Sequence, residues 1–598
     1  MENIRNFSII AHIDHGKTTM TDQLLRKTGT IQSTDVRERL MDSNPIEQER
    51  GITIKLAPVR MLYKSHRPSP GKEYTLNLID TPGHVDFAYE VSRSLSACEG
   101  AILIVDAAKG IQAQTLANFD KAKEHGLVVI PVINKIDLES ANPEKVALDL
   151  VDTFGFTSDE IIFASAKTGT GVESILEAVV ERIPPPKKEA DNTLKALVFN
   201  STFHTHKGVV AFVKLISGSI AKDNLAHLLL YQTQKRIFPT EIGFFTPNME
   251  PRDTLSAGEV GYIATGLKSV REVQVGDTLT AVGAIITPIP GYQKPQPMVF
   301  MDLYPVEADD FPNLTRALEK LALNDAALTY KPTASAALGN GYRVGYLGIL
   351  HAEIVSERLS REFEVDVINT SPSVPYRVRV TSGEEKEISS PSDFPDPTLI
   401  KSVEESIVDL TIYTPEKYVG AIMELSDKKR AVFVDMEYLG GKLKLSYLMP
   451  LSELITNYYD RLKSVSSGYA SVQYMHAGYE AVDAVKVSIL LNREHAEALA
   501  FISPRETAEA KARSLALRLK ETIPRQQFEI PIQAVIGGSI IARETVKAFR
   551  KDVTAKLYGG DRTRRMKLLE KQKKGKKKMK MLGVVTVPQE AFTEILKV

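Results

Sequence analysis

Eight residues near the start of the chain, Ala11-His12-Ile13-Asp14-His15-Gly16-Lys17-Thr18, limit its possible folds more than any other stretch. They lie between an apolar run at 6–11, the length of a buried strand, and a helical stretch that closes at Gly29. A strand, a loop ending in Gly-Lys-Thr and a helix form a P-loop, in which backbone N–H groups and a helix N-terminus cradle phosphates. Such a loop belongs to a parallel α/β sheet. Further apolar runs at 76–79, 101–105 and 127–133, separated by helical stretches, supply that sheet. The unit stops at Ile183-Pro184-Pro185-Pro186, a polyproline linker. Residues 1–186 therefore read as a P-loop domain.

Within it, Asp14, His15, Gly16, Lys17, Thr18 and Thr19 are the phosphate-binding candidates. Lys17 is expected to reach the β- and γ-phosphates and Thr18 to give its hydroxyl to Mg²⁺. Asp80-Thr81-Pro82-Gly83-His84 follows the run at 76–79, so Asp80 is placed to hold the magnesium shell through water, and Gly83 lets a backbone N–H face the γ-phosphate. Arg50-Gly51-Ile52-Thr53 lies in the preceding loop, where Thr53 offers a second hydroxyl to the metal. Contacts that need a γ-phosphate vanish on its loss and release both loops.

Asn134-Lys135-Ile136-Asp137 ends another strand and selects the base. The Asp137 carboxylate can accept hydrogen bonds from guanine N1–H and the exocyclic amine. Adenine has neither donor there and would leave a charge unpaired. Ser165-Ala166-Lys167 follows a further strand and can close over the base. Four signals in this order, each at a strand end, predict a GTP-hydrolysing switch. His12 and His15 sit on the P-loop and do not read as a metal pair. His204 and His206 read as a surface hairpin.

Past the linker, residues 190–287 lose helical periodicity and read as short strands between Gly, Asp and Asn turns, a β-barrel. Residues 296–371 and 403–481 each read strand, helix, two strands, helix, strand, the ferredoxin-like order. In the first, Asp310 is the expected N-cap of a helix over 311–324. His351 and Glu353, two apart on a helix, face different ways and suit packing better than catalysis. Residues 482–598 read as mixed α+β, and periodicity does not give their fold. The whole is a multidomain α/β and β protein.

The chain has 598 residues with no net charge, but the stretch 562–580 holds three Arg and eight Lys against Glu570 alone. That asymmetry points to a polyanion, with Lys573, Lys574, Lys576, Lys577 and Lys578 as RNA-contact candidates. The alternatives are anionic lipid at a membrane surface and a solvated run. One cysteine, Cys98, fits a reducing compartment and a small buried hydrophobe. With no signal segment and no apolar run long enough to span a bilayer, the expectation is a cytoplasmic protein, or one peripheral on the membrane's cytoplasmic side.

The stretches 11–19, 49–54, 80–87 and 134–137 together resemble the translational GTPases. The resemblance implies that His84 orients the attacking water once the ribosome docks, and that Ile13 and Ile52 restrain it beforehand. It also implies a monovalent cation near Asp14 and Gly51. Domain order is similar to elongation factor G, but only about 35 residues separate the two ferredoxin-like units, which leaves no room for that factor's inserted domain. This gap and the sequence at 558–561, 567–573 and 588–592 are similar to the LepA subgroup, which implies a unique C-terminal domain at 482–598. The implied function is a monomeric, ribosome-dependent GTPase that binds GTP/GDP and meets rRNA and tRNA. Residues 65–71 and 200–207 depart from the family pattern, and both read as loops.

Overall fold

The computed structural model describes residues 1–549 except 13, 32–44, 51–55, 68–69, 83–87, 190, 223–227, 290–296, 324, 326, 336–337, 371 and 440–441, and beyond them Met566, Lys567 and Glu570. Ile13, Ile52, Thr53, Gly83, His84 and the five lysines at 573–578 lie outside the described residues.

In the first domain the strands are β1 (Ile4–Ala11), β2 (Ala57–Lys64), β3 (Glu73–Asp80), β4 (Gly100–Asp106), β5 (Val128–Asn134) and β6 (Ile162–Phe163). The helices are α1 (Lys17–Lys27), α2 (Pro45–Arg50), α3 (Ala88–Ser96), α4 (Ala113–Glu124), α5 (Pro143–Phe154) and α6 (Val172–Arg182). The sheet order is β2-β3-β1-β4-β5-β6, parallel except for β2. Every residue of β1 is buried, because helices cover both faces. Alternation assigns the side chains: Phe7, Ile9, Ile102 and Ile104 join Leu24, Leu176 and Val179 on one face, whereas Ile10, Leu103 and Val105 join Val91, Leu116 and Leu150 on the other.

Next comes an eight-stranded antiparallel sheet whose first and last strands, Lys235–Ile237 and Met249–Pro251, flank the long pair Lys195–His204 and Gly208–Ser217. One core takes side chains from across that sheet (Val198, Val213, Ile237 and Ile263), so the sheet curls into a barrel. The barrel docks on the first domain through Phe199, Phe212, Phe245 and Tyr262, which pack with Leu56, Ile79, Ala97 and Cys98. Burial pushes the Cys98 thiol pKa up, so it is an inert core residue. Residues 200–204, expected in a loop, belong to the strand Lys195–His204, which shifts register between Val198 and Asn200 and turns at 205–207.

The strands Val299–Pro305, Thr329–Ser335, Gly339–Tyr346 and Val367–Asn369 form one ferredoxin-like sheet, with helices Phe311–Ala322 and Ile349–Phe363. Asp310 precedes the first helix, but its carboxylate takes Asn313 Nδ2 at 3.0 Å and caps no backbone N–H. His351 is buried, with Nε2 2.7 Å from Asp325 Oδ2 and Nδ1 accepting from Leu347 N–H, which is a packing role. The second unit is built on the 16-residue strand Ile400–Pro415, longer than expected because its first half also pairs with a hairpin at Tyr376–Val380 and Glu385–Ile388. Its last helix breaks into Leu451–Ile455 and Tyr458–Val465 at Asn457, whose φ is 49°. The strand Ala484–Leu491 opens a final α+β unit, where helix Arg505–Thr522 lays Ala508, Ala512, Leu515 and Leu519 on strands Ile530–Ile536 and Ser539–Val546. No described helix is long and apolar enough to cross a membrane.

Candidate functional site

The C-terminal edge of the parallel sheet gathers the ends of β1, β3, β4 and β5, the edge where open α/β sheets bind ligands. Ala11 passes into the loop, and Gly16 stands at the N-cap of α1 with φ 93°. A Cβ at Gly16 would lie 2.5 Å from Asn134 Nδ2, so position 16 needs glycine for both conformation and space. Gly16→Ala is expected to weaken GTP binding at least about tenfold, since left-handed strain alone costs roughly 1–3 kcal/mol. Titration with a fluorescent GTP analogue checks it, and unchanged affinity would contradict the geometry.

Asn134 holds the site together. It is buried, its Nδ2 donates to the His15 carbonyl at 2.9 Å, and its Oδ1 accepts from Ala166 N–H at 2.9 Å. One side chain thus fixes the phosphate loop against the 165–167 loop. Lys135, in the left-handed region at φ 65°, donates through Nζ to the Asp14 carbonyl and pairs with Asp106 Oδ2 at 2.9 Å. Asp14 is itself left-handed at φ 65°. Two strained non-glycine residues joined by one hydrogen bond mark a preset loop. Thr18 is half-buried and Thr19 exposed at the start of α1.

The His15 ring is buried and turned toward β4, with Nδ1 3.3 Å from Asp106 N. Burial, with His12 beside it, pushes its pKa down to about 3, so the ring stays neutral. His15 therefore shapes the loop through its backbone and lies under the phosphate seat. No group of three or more His, Cys, Asp or Glu side chains able to hold a metal occurs among the described residues.

At the end of β3, Asp80 is fully buried. Its Oδ1 takes Lys17 Nζ at 2.7 Å, and the same ammonium donates to the Thr81 carbonyl at 2.6 Å. Asp80 Oδ2 has no hydrogen-bond partner among the described residues. A buried carboxylate oxygen left open beside a lysine suits a water of a cation's shell, so the residues present fit Mg²⁺.

On the base side, Asp137 is exposed. Ser165 Oγ, itself buried, donates to its Oδ1 at 2.6 Å and holds its pKa below the usual carboxylate range. An ionised, oriented carboxylate is thus presented to solvent next to Ala166 and the exposed Lys167. Two positioning residues escape the sequence reading. Asp106 ends β4 opposite Asn134 and anchors Lys135, and Asn118 Nδ2 from α4 donates to the Ala11 carbonyl at 3.3 Å. Strand register could have pointed to Asp106. Asn118 carries no sequence signal.

Residues 2–185 match the family model described as elongation factor Tu GTP binding domain, 402–490 that of elongation factor G C-terminus, and 491–597 that of GTP-binding protein LepA C-terminus. Elongation factor 4 of Thermus thermophilus is 52% identical over 601 residues, covering 100% of this chain and 98% of that protein. The chain belongs to the elongation factor 4 family. The factors of Acetivibrio thermocellus and Geobacillus thermodenitrificans are 52% and 51% identical over 599 residues, each covering 100% of this chain and 98% of the relative. A solved structure of another Thermus thermophilus protein matches with a TM-score of 0.59 at 18% identity, covering 81% of this chain and 98% of that one, a likeness of fold. Membership of the elongation factor 4 family makes this chain a translational GTPase that binds GTP and GDP and hydrolyses GTP.

Proposed function

We propose that this chain is a ribosome-dependent GTPase of the cytoplasm that acts as a monomer on tRNA-bearing ribosomes, moving tRNAs backward or otherwise remodelling stalled complexes and so supporting fidelity. The observation that carries the nucleotide half of this reading is Asn134, which ties the phosphate loop to the base-reading loop in one rigid seat. In that seat the backbone of residues 14–19 and Lys17 would hold the phosphates, while Asp137, Ser165, Ala166 and Lys167 would hold guanine. Thr18, Thr53 and, through water, Asp80 would hold Mg²⁺, which supplies positive charge to the phosphate oxygens when bound. Lys17 would trade Asp80 for the β- and γ-phosphates. His84 would orient the attacking water, with Ile13 and Ile52 fencing it until the ribosome docks, and Gly83 would offer its N–H to the γ-phosphate.

The ribosomal half rests on the family and on the basic run at 562–580, for which RNA phosphate is the proposed partner. Replacing Lys573, Lys574, Lys576, Lys577 and Lys578 by Gln is expected to weaken ribosome binding and leave GTP affinity intact. Each phosphate contact contributes roughly 0.7–0.9 to the slope of log affinity on log salt, so losing five lowers the slope by about 4. Sedimentation with ribosomes and with anionic liposomes across a salt series tests this. An unchanged slope would return the run to plain solvation, and binding to liposomes alone would favour a membrane partner.

A further inference from the structure

The second ferredoxin-like unit ends its sheet on Val432–Leu439, which hydrogen-bonds only to the strand Lys442–Pro450 among the described strands. Seven successive residues, 432–438, are exposed. Five are large and apolar: Val432 at 60%, Phe433 at 43%, Val434 at 56%, Met436 at 40% and Tyr438 at 65%. From Asp435 onward the strand runs in regular register, Met436 opposite Leu445 and Tyr438 opposite Leu443, so its outer edge is a straight row of backbone donors and acceptors, in which Met436 N–H donates to the exposed Asp435 Oδ1 at 2.8 Å. Soluble proteins blunt such edges with lysine, proline, a bulge or a covering element. This strand has a bulge near its start, between Phe433 and Asp435, and no lysine, no proline and no further register shift in the stretch that follows.

We infer that Val432–Leu439 is a docking edge for an extended segment of a ribosomal protein that adds a strand to this sheet, with apolar side chains alternating with lysine or arginine. Three observations choose this occupant. The backbone row matches a polypeptide in extended form, which supplies donors and acceptors at the same spacing. The only charges on the strand are Asp435 and Glu437, the latter reached by Lys444 Nζ at 3.5 Å, so the edge attracts cations and repels RNA phosphate. A second copy of this chain is disfavoured, because antiparallel pairing about Met436 sets Asp435 against Glu437, and like charges directly opposite are destabilising. The source of the segment rests on the ribosomal reading above.

The test places a photo-crosslinking benzoylphenylalanine at Tyr438 in the full chain and irradiates it with purified ribosomes. The expected adduct survives nuclease, and its tryptic peptides, read by mass spectrometry, come from this chain and from one ribosomal protein. An adduct to rRNA, an adduct to a second copy, or no adduct while the labelled chain still co-sediments with ribosomes would each overturn the proposal. Failure of the unsubstituted chain to co-sediment overturns the ribosomal reading first, and this inference with it. As a second variant, Met436→Lys is expected to weaken ribosome co-sedimentation at least about tenfold with GTP affinity unchanged, because an ammonium group is then set against the partner's apolar side chains. Undiminished co-sedimentation would count against the docking edge.

Discussion

Replacing Asp137 by asparagine is expected to move nucleotide preference from GTP to XTP. Asp137 is exposed and kept ionised by Ser165 Oγ, so its carboxylate is ready to accept the N1–H and the exocyclic amine of guanine. Asparagine puts an amide donor where guanine also donates. Xanthine carries a carbonyl at that place and pairs with the new amide. Sites built to hydrogen-bond a group reject the analogue lacking it by about 10⁴–10⁵, so a loss of GTP affinity on the order of 10³-fold or more is expected, with XTP gaining in turn. The clamp between the two loops runs through Asn134 and Lys135 and not through the Asp137 side chain, so the substitution leaves it in place. Competition between GTP and XTP for the variant measures it. Undiminished GTP affinity would remove Asp137 from base recognition.

His84→Ala is expected to leave GTP binding near normal and to cut ribosome-stimulated hydrolysis by at least about 10²-fold, because a group that positions the water acts mainly in the transition state. The asymmetry between binding and turnover is the signature. A variant that lost GTP affinity as well would have lost the seat. Single-turnover hydrolysis with saturating ribosomes is the measurement, and turnover within a few-fold of the unsubstituted chain would remove His84 from its role.

Much of the first domain could be read in the sequence because its signals are local. The buried runs ending at Ala11, Asp80 and Asn134 are continuous apolar stretches cut by polar motifs, and the strands β1, β3 and β5 end at those residues. The details that escaped depend on distant partners. The strand Ile400–Pro415 gains its length from the hairpin at Tyr376–Val380 and Glu385–Ile388, and the helix expected over 451–463 breaks because Asn457 adopts φ 49°. Asp310 looked like a cap, yet its carboxylate is taken by Asn313. Asp325 could not be paired with His351 from spacing alone, since the two meet only after a turn and two strands.

In the site, residue types announced themselves but their linkage did not. Asn134 as the bridge between His15 and Ala166, and Lys135 as the holder of the Asp14 carbonyl, are properties of the folded edge. The same holds for His15. Its place in the motif suggested a ligand contact, whereas burial below the loop leaves only its backbone to serve.

The proposed control of GTP hydrolysis by the ribosome is checked by phosphate release measured with GTP and with ATP, each with and without ribosomes. Slow GTP turnover by the chain alone, strong stimulation by ribosomes and no comparable turnover of ATP in either condition are expected. Equal turnover of ATP would contradict the base-reading role of Asp137, and GTP turnover indifferent to ribosomes would contradict the proposed partner.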